Sequence, residues 1–119
     1  MRVMVIGAST NPEKYGNKAV RAYLKQGNDV FPVNPRADEI EGVRCYHSVS
    51  EVPGPIDRAT VYLPPKLIIG VLDELAARGD VKELWLNPGS ESDEVIDRAK
   101  GLGFDPITAC SIVAIGERP

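Results

Sequence analysis

The feature that most constrains this chain is a regular alternation of short apolar runs with segments of helical periodicity. Residues 2–7, "RVMVIG", are almost continuously apolar and end at a glycine. This pattern is typical of a strand covered on both faces in a parallel sheet. Residues 17–27 follow, with their apolar side chains on one helical face and a glycine at the end, which predicts a helix.

The remaining sequence repeats this alternation. Strands are predicted at 29–33, 58–63 and 105–109 and a strand with its turn at 82–89, with helices at 64–79 and 91–103. Pro32 places the second strand at an edge or a bulge, and the Ser48–Glu51 spacing predicts a single helical turn. Such alternation indicates βαβ units. We therefore predict an α/β fold: one doubly wound, Rossmann-like domain over residues 1–119, with about five mostly parallel strands and helices on both faces.

Charge and composition exclude several classes of partner. The 119 residues carry a formal charge of −3 with both signs scattered, so we expect no nucleic-acid partner. No apolar run approaches the ~18 residues of a membrane span, and the first strand, from Arg2, leaves no room for a signal peptide. We expect a cytoplasmic protein. Cys45 and Cys110 are far apart, so neither a metal site nor a disulfide is expected.

The loop after the first strand has the composition of a phosphate-binding loop. It lacks the G-x-G-x-x-G and P-loop patterns, but its small residues allow a close approach of backbone to an anion. The candidates are Gly7, Ala8, Ser9, Thr10, Tyr15, Gly16, Asn17 and Lys18. The helix that opens there carries lysines, whereas the helix near residue 91 opens with acids. The alternative is an ordinary loop in which Gly and Pro serve only the turn.

After the second strand comes Asn34-Pro35-Arg36, where proteins that bind NAD usually place an acid for the ribose. A guanidinium there suits a phosphorylated ribose, which both NADP and coenzyme A (CoA) contain. The alternative is a surface arginine paired with Asp38 or Glu39.

Two later strand ends could form a rigid apolar wall. "TVYLPPK" contributes Tyr62, Leu63, Pro64 and Pro65, and "LWLNPG" contributes Asn87, Pro88 and Gly89. Such walls suit an adenine ring or a pantetheine arm, which favours CoA over a hydride carrier. Trp85, in the same stretch, is expected to be a core residue.

Together, "VIGAST…VRAYLKQGNDVFPVNPR", "ATVYLPP", "ELWLNPG" and Cys110 resemble the small stand-alone CoA-binding domain proteins. Their fold is similar to the CoA-binding domain of the succinyl-CoA synthetase α subunit. The resemblance implies that Gly7, Ser9, Thr10 and residues 16–18 wrap the CoA phosphates. It also implies that residues 34–36 approach the phosphorylated adenosine, and that residues 62–65 and 87–89 line the remaining groove.

The sequence offers no catalytic set. The synthetase's phosphorylated histidine lies in a second domain that this chain lacks, and we expect His47 to lie away from the strand ends as a surface or capping residue. No nucleophile and base can be paired. We predict a non-catalytic carrier, sensor or regulatory protein that binds CoA or acyl-CoA, with no membrane and no identified protein partner. The alternative is an NADP-binding reductase or redox sensor. Cys110 could form a mixed disulfide with the CoA thiol, but a buried structural thiol is the favoured interpretation of this residue.

Overall fold

The computed structural model describes all 119 residues as a parallel sheet with helices on both faces. In chain order the elements are β1 (Arg2–Ile6), α1 (Tyr15–Lys25), β2 (Asp29–Val33), β3 (Glu39–Ile40), β4 (Val43–Arg44), a 3-10 turn (Val49–Glu51), β5 (Ile56–Val61), α2 (Pro65–Arg78), β6 (Val81–Leu86), α3 (Asp93–Gly101), β7 (Ile107–Thr108) and α4 (Ser111–Ala114). The predicted fold class is confirmed. No helix is long and apolar enough to cross a membrane.

The order of the strands creates a switch point at β1. The sheet runs β2-β1-β5-β6-β7, and every pair is parallel. From β1 the chain first moves outward to β2 and later returns to β5 on the other side. In doubly wound sheets a crevice for ligands forms outside the carboxyl ends of the strands at such a point. Here it lies between the ends of β1 and β5.

Both faces of the sheet are buried. One apolar cluster lies between the sheet and helices α2 and α3, and a second lies beneath α1 and α4. Residues of β1 alternate between them: Met4 and Ile6 belong to the first cluster, and Val3 and Val5 to the second. This arrangement explains why the strand is apolar without interruption.

Pro32 lies in the edge strand β2, as its missing amide hydrogen requires. Trp85 is buried, as predicted, with Arg58 stacked 4.5 Å from its ring centroid. The predicted turn after Ser48 is present, although Glu51 accepts from the His47 amide rather than closing a capping box. Sequence patterns missed the β3–β4 hairpin and α4, because two to four residues are too few to show a period.

A buried polar network joins the carboxyl ends of β5 and β6 to the start of α4. The Asn87 side-chain amide donates to the Thr60 hydroxyl at 2.7 Å, and its carbonyl oxygen accepts from the Ser111 amide at 2.9 Å. The Thr60 and Ser111 hydroxyls lie 2.7 Å apart. All three side chains are almost fully buried. No buried side-chain polar atom is left without a partner, so this network fixes the strand ends at little cost in desolvation.

Thr60→Val tests the network, because valine keeps the shape of threonine and removes its hydroxyl. We expect the free energy of unfolding to fall by about 1–3 kcal/mol, since buried partners of the hydroxyl lose a hydrogen bond. Urea denaturation measures the change. The control is Thr108→Val, at an exposed position of the edge strand β7, for which we expect a change within about 0.5 kcal/mol. Equal effects of the two substitutions would contradict a stabilising role for the network.

Candidate functional site

A cavity of about 730 Å³ lies at the carboxyl edge of the sheet, at the switch point. Its walls are formed by the ends of β1, β2, β5 and β6. The start of α1, the 3-10 turn and one face of α2 complete them. The lining residues are Ile6, Gly7, Ala8, Ser9, Lys14, Tyr15, Gly16, Val33, Asn34, Pro35, His47, Ser48, Val49, Tyr62, Leu63, Pro64, Leu67, Val71, Glu74, Pro88, Gly89 and Ser90. The volume suits a small-molecule or cofactor ligand.

At one end of the cavity, α1 begins unusually close to the loop after β1. A Cβ atom at position 16 would clash with the Gly7 carbonyl oxygen, so only glycine fits there. Gly7 itself has a φ of +84° and lies against the Tyr62 backbone. The amides of Gly7 and Ala8 both donate to the Val33 carbonyl, which ties this loop to the end of β2.

The start of α1 presents unpaired donors to the cavity. Its N-cap, Lys14, makes no side-chain capping bond, and no acid lies in the first turn. The amides of Tyr15 and Gly16 find no acceptor in the chain. Free amides and the helix dipole favour an anion at this place, and the lysine adds a positive charge.

The start of α3 is different from that of α1. The Ser92 hydroxyl accepts from the Val95 amide at 3.1 Å, and Asp93 and Glu94 occupy the first turn. These side chains already satisfy the dipole of α3. The contrast agrees with the expectation that the first helix is the better anion site of the two.

Most of the residues proposed from the sequence lie around this cavity. Twelve of them line it: Gly7, Ala8, Ser9, Tyr15, Gly16, Asn34, Pro35, Tyr62, Leu63, Pro64, Pro88 and Gly89. Six do not: Thr10, Asn17, Lys18, Arg36, Pro65 and Asn87. Sequence alone assigns polar residues to strand ends but cannot show which of their atoms are already bonded.

The two asparagines outside the cavity are bonded within the protein. The Asn17 side chain donates to the Ser9 carbonyl and the Glu41 carboxylate, and accepts from Arg21. Asn87 belongs to the buried network of Thr60 and Ser111. Both side chains therefore hold backbone segments in place.

Lys18 and Arg36, the two predicted cations that do not line the cavity, differ in their surroundings. The Lys18 ammonium lies 5.0 Å from the centroid of the Tyr15 ring. Arg36 is exposed, its guanidinium makes no hydrogen bond or ion pair, and its amide donates to Asn34 Oδ1 at 2.8 Å. The carboxylate of Asp38, one of its expected partners, accepts instead from His47 Nε2 at 2.9 Å. The guanidinium is thus free beside the end of β2.

The expected position of His47 was wrong, because this residue lines the cavity. The segment after the hairpin returns to the sheet: Asn34 and Tyr46 are joined by a 2.9 Å backbone hydrogen bond, and Tyr46 bridges Val33. This pairing carries His47, Ser48 and Val49 to the cavity wall. No periodicity in the sequence signals such a single bridge.

The opposite wall comes from α2, whose contribution sequence reasoning also missed. Leu67, Val71 and Glu74 follow one another at helical spacing and all line the cavity. Leu67 is 55% exposed, so its apolar side chain is open to a ligand in the cavity. The i, i+4, i+7 spacing was the signal that could have identified this face.

Tyr62 forms part of the floor of the cavity. Its hydroxyl lies 3.3 Å from the Ser111 hydroxyl. Burial raises the pKa of Tyr62 to about 12, against the opposing effect of its hydrogen bonds to Ser111 and Thr60. The phenol is therefore neutral at physiological pH. Its hydroxyl, in the floor of the cavity, can both donate and accept a hydrogen bond.

Cys110 does not line the cavity; it is half-buried before α4 and packs against the second apolar cluster. Cys45 is buried, and burial raises the pKa of its thiol. No group of three or more His, Cys, Asp or Glu side chains is placed to hold a metal ion.

The fold and the uncapped helix start are those of α/β proteins that bind nucleotides at the carboxyl edge of a sheet. The sequence profile of the CoA-binding domain family matches residues 1–116. The chain belongs to this family, as its motifs indicated.

Its relatives include both small proteins and parts of large ligases. The α subunit of acetate–CoA ligase (ADP-forming) II from Pyrococcus furiosus is 40% identical over 78 residues, which are 65% of this chain and 17% of that subunit. YneT of Bacillus subtilis is 30% identical over 102 residues, or 86% of this chain and 75% of YneT. The chain thus matches only a small part of the ligase subunit.

Solved structures with this fold also include both small proteins and parts of large enzymes. A conserved hypothetical protein from Pyrococcus furiosus has a TM-score of 0.85 and 38% identity, covering 95% of this chain and 97% of that one. Acetyl-coenzyme A synthetase 1 of Ca. Korarchaeum cryptofilum has a TM-score of 0.78 and 33% identity, covering 91% of this chain and 25% of the synthetase. The fold therefore occurs both by itself and within a large enzyme.

Gly16→Ala tests the close approach of α1 to the loop after β1. We expect the free energy of unfolding to fall by about 1–3 kcal/mol, because the added methyl group forces the helix away from the Gly7 carbonyl. The matched control is Gly70→Ala in α2, where an added Cβ meets nothing within 4 Å. That substitution is expected to raise stability by up to about 1 kcal/mol. Urea denaturation measures the stability of both variants. A Gly16→Ala protein as stable as the wild type would contradict the close approach of α1 to the Gly7 carbonyl.

The raised pKa of Tyr62 predicts a loss of stability at high pH. The phenol ionises near pH 10 in the unfolded chain and near 12 in the folded one. Between these values the folded state retains a proton that the unfolded state releases, so the free energy of unfolding falls as pH rises, by at most about 1.4 kcal/mol per pH unit. Urea denaturation of wild type and Tyr62→Phe across this range isolates the effect. Identical slopes for the two proteins would exclude it.

Proposed function

We propose that residues 1–119 act as one unit that binds CoA or an acyl-CoA in this cavity, without catalysing a reaction on it. The observation that carries the proposal is the set of unpaired amides at the start of α1, which opens into the cavity of a chain of the CoA-binding domain family. The protein would serve as a carrier, a sensor or a regulatory subunit.

The residues at the helix end of the cavity fit the diphosphate of CoA. The amides of Tyr15 and Gly16 would donate to phosphate oxygens, and Lys14 would neutralise part of their charge. Glycine at position 16 leaves the backbone there without a side chain that could block an anion.

The end of β2 fits the phosphorylated ribose. Asn34 and Pro35 line the cavity, and the Arg36 guanidinium beside them has no partner in the protein. A planar guanidinium can bind a phosphate through two parallel hydrogen bonds. The phosphate at the 3′ position of CoA is the group that would occupy it.

Three observations support a binding role over a catalytic one. His47, the sole histidine, is hydrogen-bonded to Asp38 rather than to a serine or cysteine. The Ser9 hydroxyl accepts from the Asn11 amide in an ordinary turn. The ligases that share this fold are far longer chains. The family match concerns CoA, and no observation of the cavity favours NADP.

Calorimetric titration with CoA, dephospho-CoA and NADP tests the proposal, and Arg36→Ala tests the assignment of the 3′-phosphate. We expect Arg36→Ala to weaken CoA binding by about tenfold or more and to leave dephospho-CoA binding unchanged, because only CoA carries the phosphate that the guanidinium binds. The control is Arg118→Ala, which removes an exposed arginine outside the cavity.

Three results would count against these assignments. Equal affinity of the wild type for CoA and dephospho-CoA would remove the role of Arg36. A similar loss for both ligands in Arg36→Ala would assign the residue a structural role instead. NADP binding without CoA binding would overturn the proposed function itself.

A further inference from the structure

Glu74 is the sole carboxylate that lines the cavity. Its neighbour Asp73 pairs with Arg98 at 2.6 Å, whereas Glu74 pairs with no group of the chain. Glu74 is exposed at the cavity wall, and its carboxylate would repel a phosphate placed beside it. We therefore expect the part of a ligand beside Glu74 to carry hydrogen-bond donors rather than phosphate.

The charges of the cavity are separated along its length. Lys14 and the open start of α1 are on one side of the sheet, where α1 covers the second apolar cluster. Glu74 is on α2, which covers the first cluster on the opposite side. The cavity crosses the edge of the sheet between them. A ligand that spans it would place its phosphates at one end and an uncharged group at the other.

The walls beside Glu74 form an apolar trough. Leu67 and Val71 precede Glu74 on the same face of α2, and Leu63 lies just before this helix. Val49 also lines the cavity, in the 3-10 turn that packs against α2. Aliphatic side chains on two sides suit a flat ring, and the carboxylate at the end of the trough can accept hydrogen bonds from the edge of that ring.

The connectivity of a nucleotide indicates which ring this is. In doubly wound folds the diphosphate lies at the first helix start and the ribose lies at the end of the second strand. Here these places are Gly16 and Asn34. The base is attached to the ribose, and the backbone pairing of Asn34 with Tyr46 puts the segment that contains Val49 beside it. The trough is thus the part of the cavity that the base can reach.

We propose that the trough between α2 and the 3-10 turn binds a 6-aminopurine and that Glu74 selects it by accepting a hydrogen bond from the exocyclic amino group. The inference rests on the proposed function, since CoA supplies such a base. Hypoxanthine carries a carbonyl oxygen in place of the amino group. That oxygen can only accept hydrogen bonds, so Glu74 would repel it.

The test compares CoA with its hypoxanthine analogue, in which the 6-amino group is replaced by oxygen, by calorimetric titration. We expect the wild type to bind CoA at least about tenfold more tightly. In Glu74→Gln the preference is expected to fall to within about threefold, because the amide can both accept from an amino group and donate to a carbonyl. Glu94→Gln, which removes one exposed charge outside the cavity, should keep the full preference.

Each outcome has a separate meaning. Tight binding of both ligands by the wild type would overturn the role of Glu74 and leave the proposed function intact. Full discrimination retained by Glu74→Gln would assign the selection to another group. Failure of the wild type to bind either ligand would overturn the proposed function and this inference with it. Glu74 is exposed, so Glu74→Gln is expected to fold with little change in stability.

Discussion

The contact between the start of α1 and the loop after β1 is the constraint on which the cavity depends. The Gly16 Cα faces the Gly7 carbonyl so closely that no side chain fits between them. Gly7, at a positive φ, turns the chain directly after the buried strand. Together these glycines bring the positive end of the helix to the edge of the sheet, at the one place where the strand order reverses.

The floor of the cavity is held by hydrogen bonds that involve no ligand. The Val33 carbonyl accepts hydrogen bonds from the amides of Gly7 and Ala8. The Asn34 side-chain amide donates a hydrogen bond to the Ala8 carbonyl at 2.8 Å. These bonds join the ends of β1 and β2. On the other side, Asn87 joins the ends of β5 and β6 to α4. A floor fixed in this way lowers the conformational entropy that binding must remove.

The main alternation of strands and helices could be predicted because β1, β2, β5 and β6 each end in an apolar run that is followed by a glycine, proline or polar turn. It was less informative about the cavity. The strand-end loops were identified, since parallel strands place their carboxyl ends together. The wall formed by His47, Ser48 and Val49 was missed, because its position follows from the pairing of Tyr46 with β2. Asn17 and Asn87 resembled ligand contacts, but their partners, Glu41 and Ser111, lie 24 residues further along the chain.

The net charge of −3 does not favour a polyanionic ligand, so recognition of CoA would have to be local. Charges on a protein surface act over about 8 Å at physiological ionic strength. Near the proposed phosphates, the chain offers the amides of Tyr15 and Gly16, whose positions the helix fixes, and the side chains of Lys14 and Arg36, which form no ion pair. The unpaired carboxylate of Glu74 lies on the helix across the sheet from α1. Under this arrangement, affinity would come from one end of the cavity and selectivity for the base from the other.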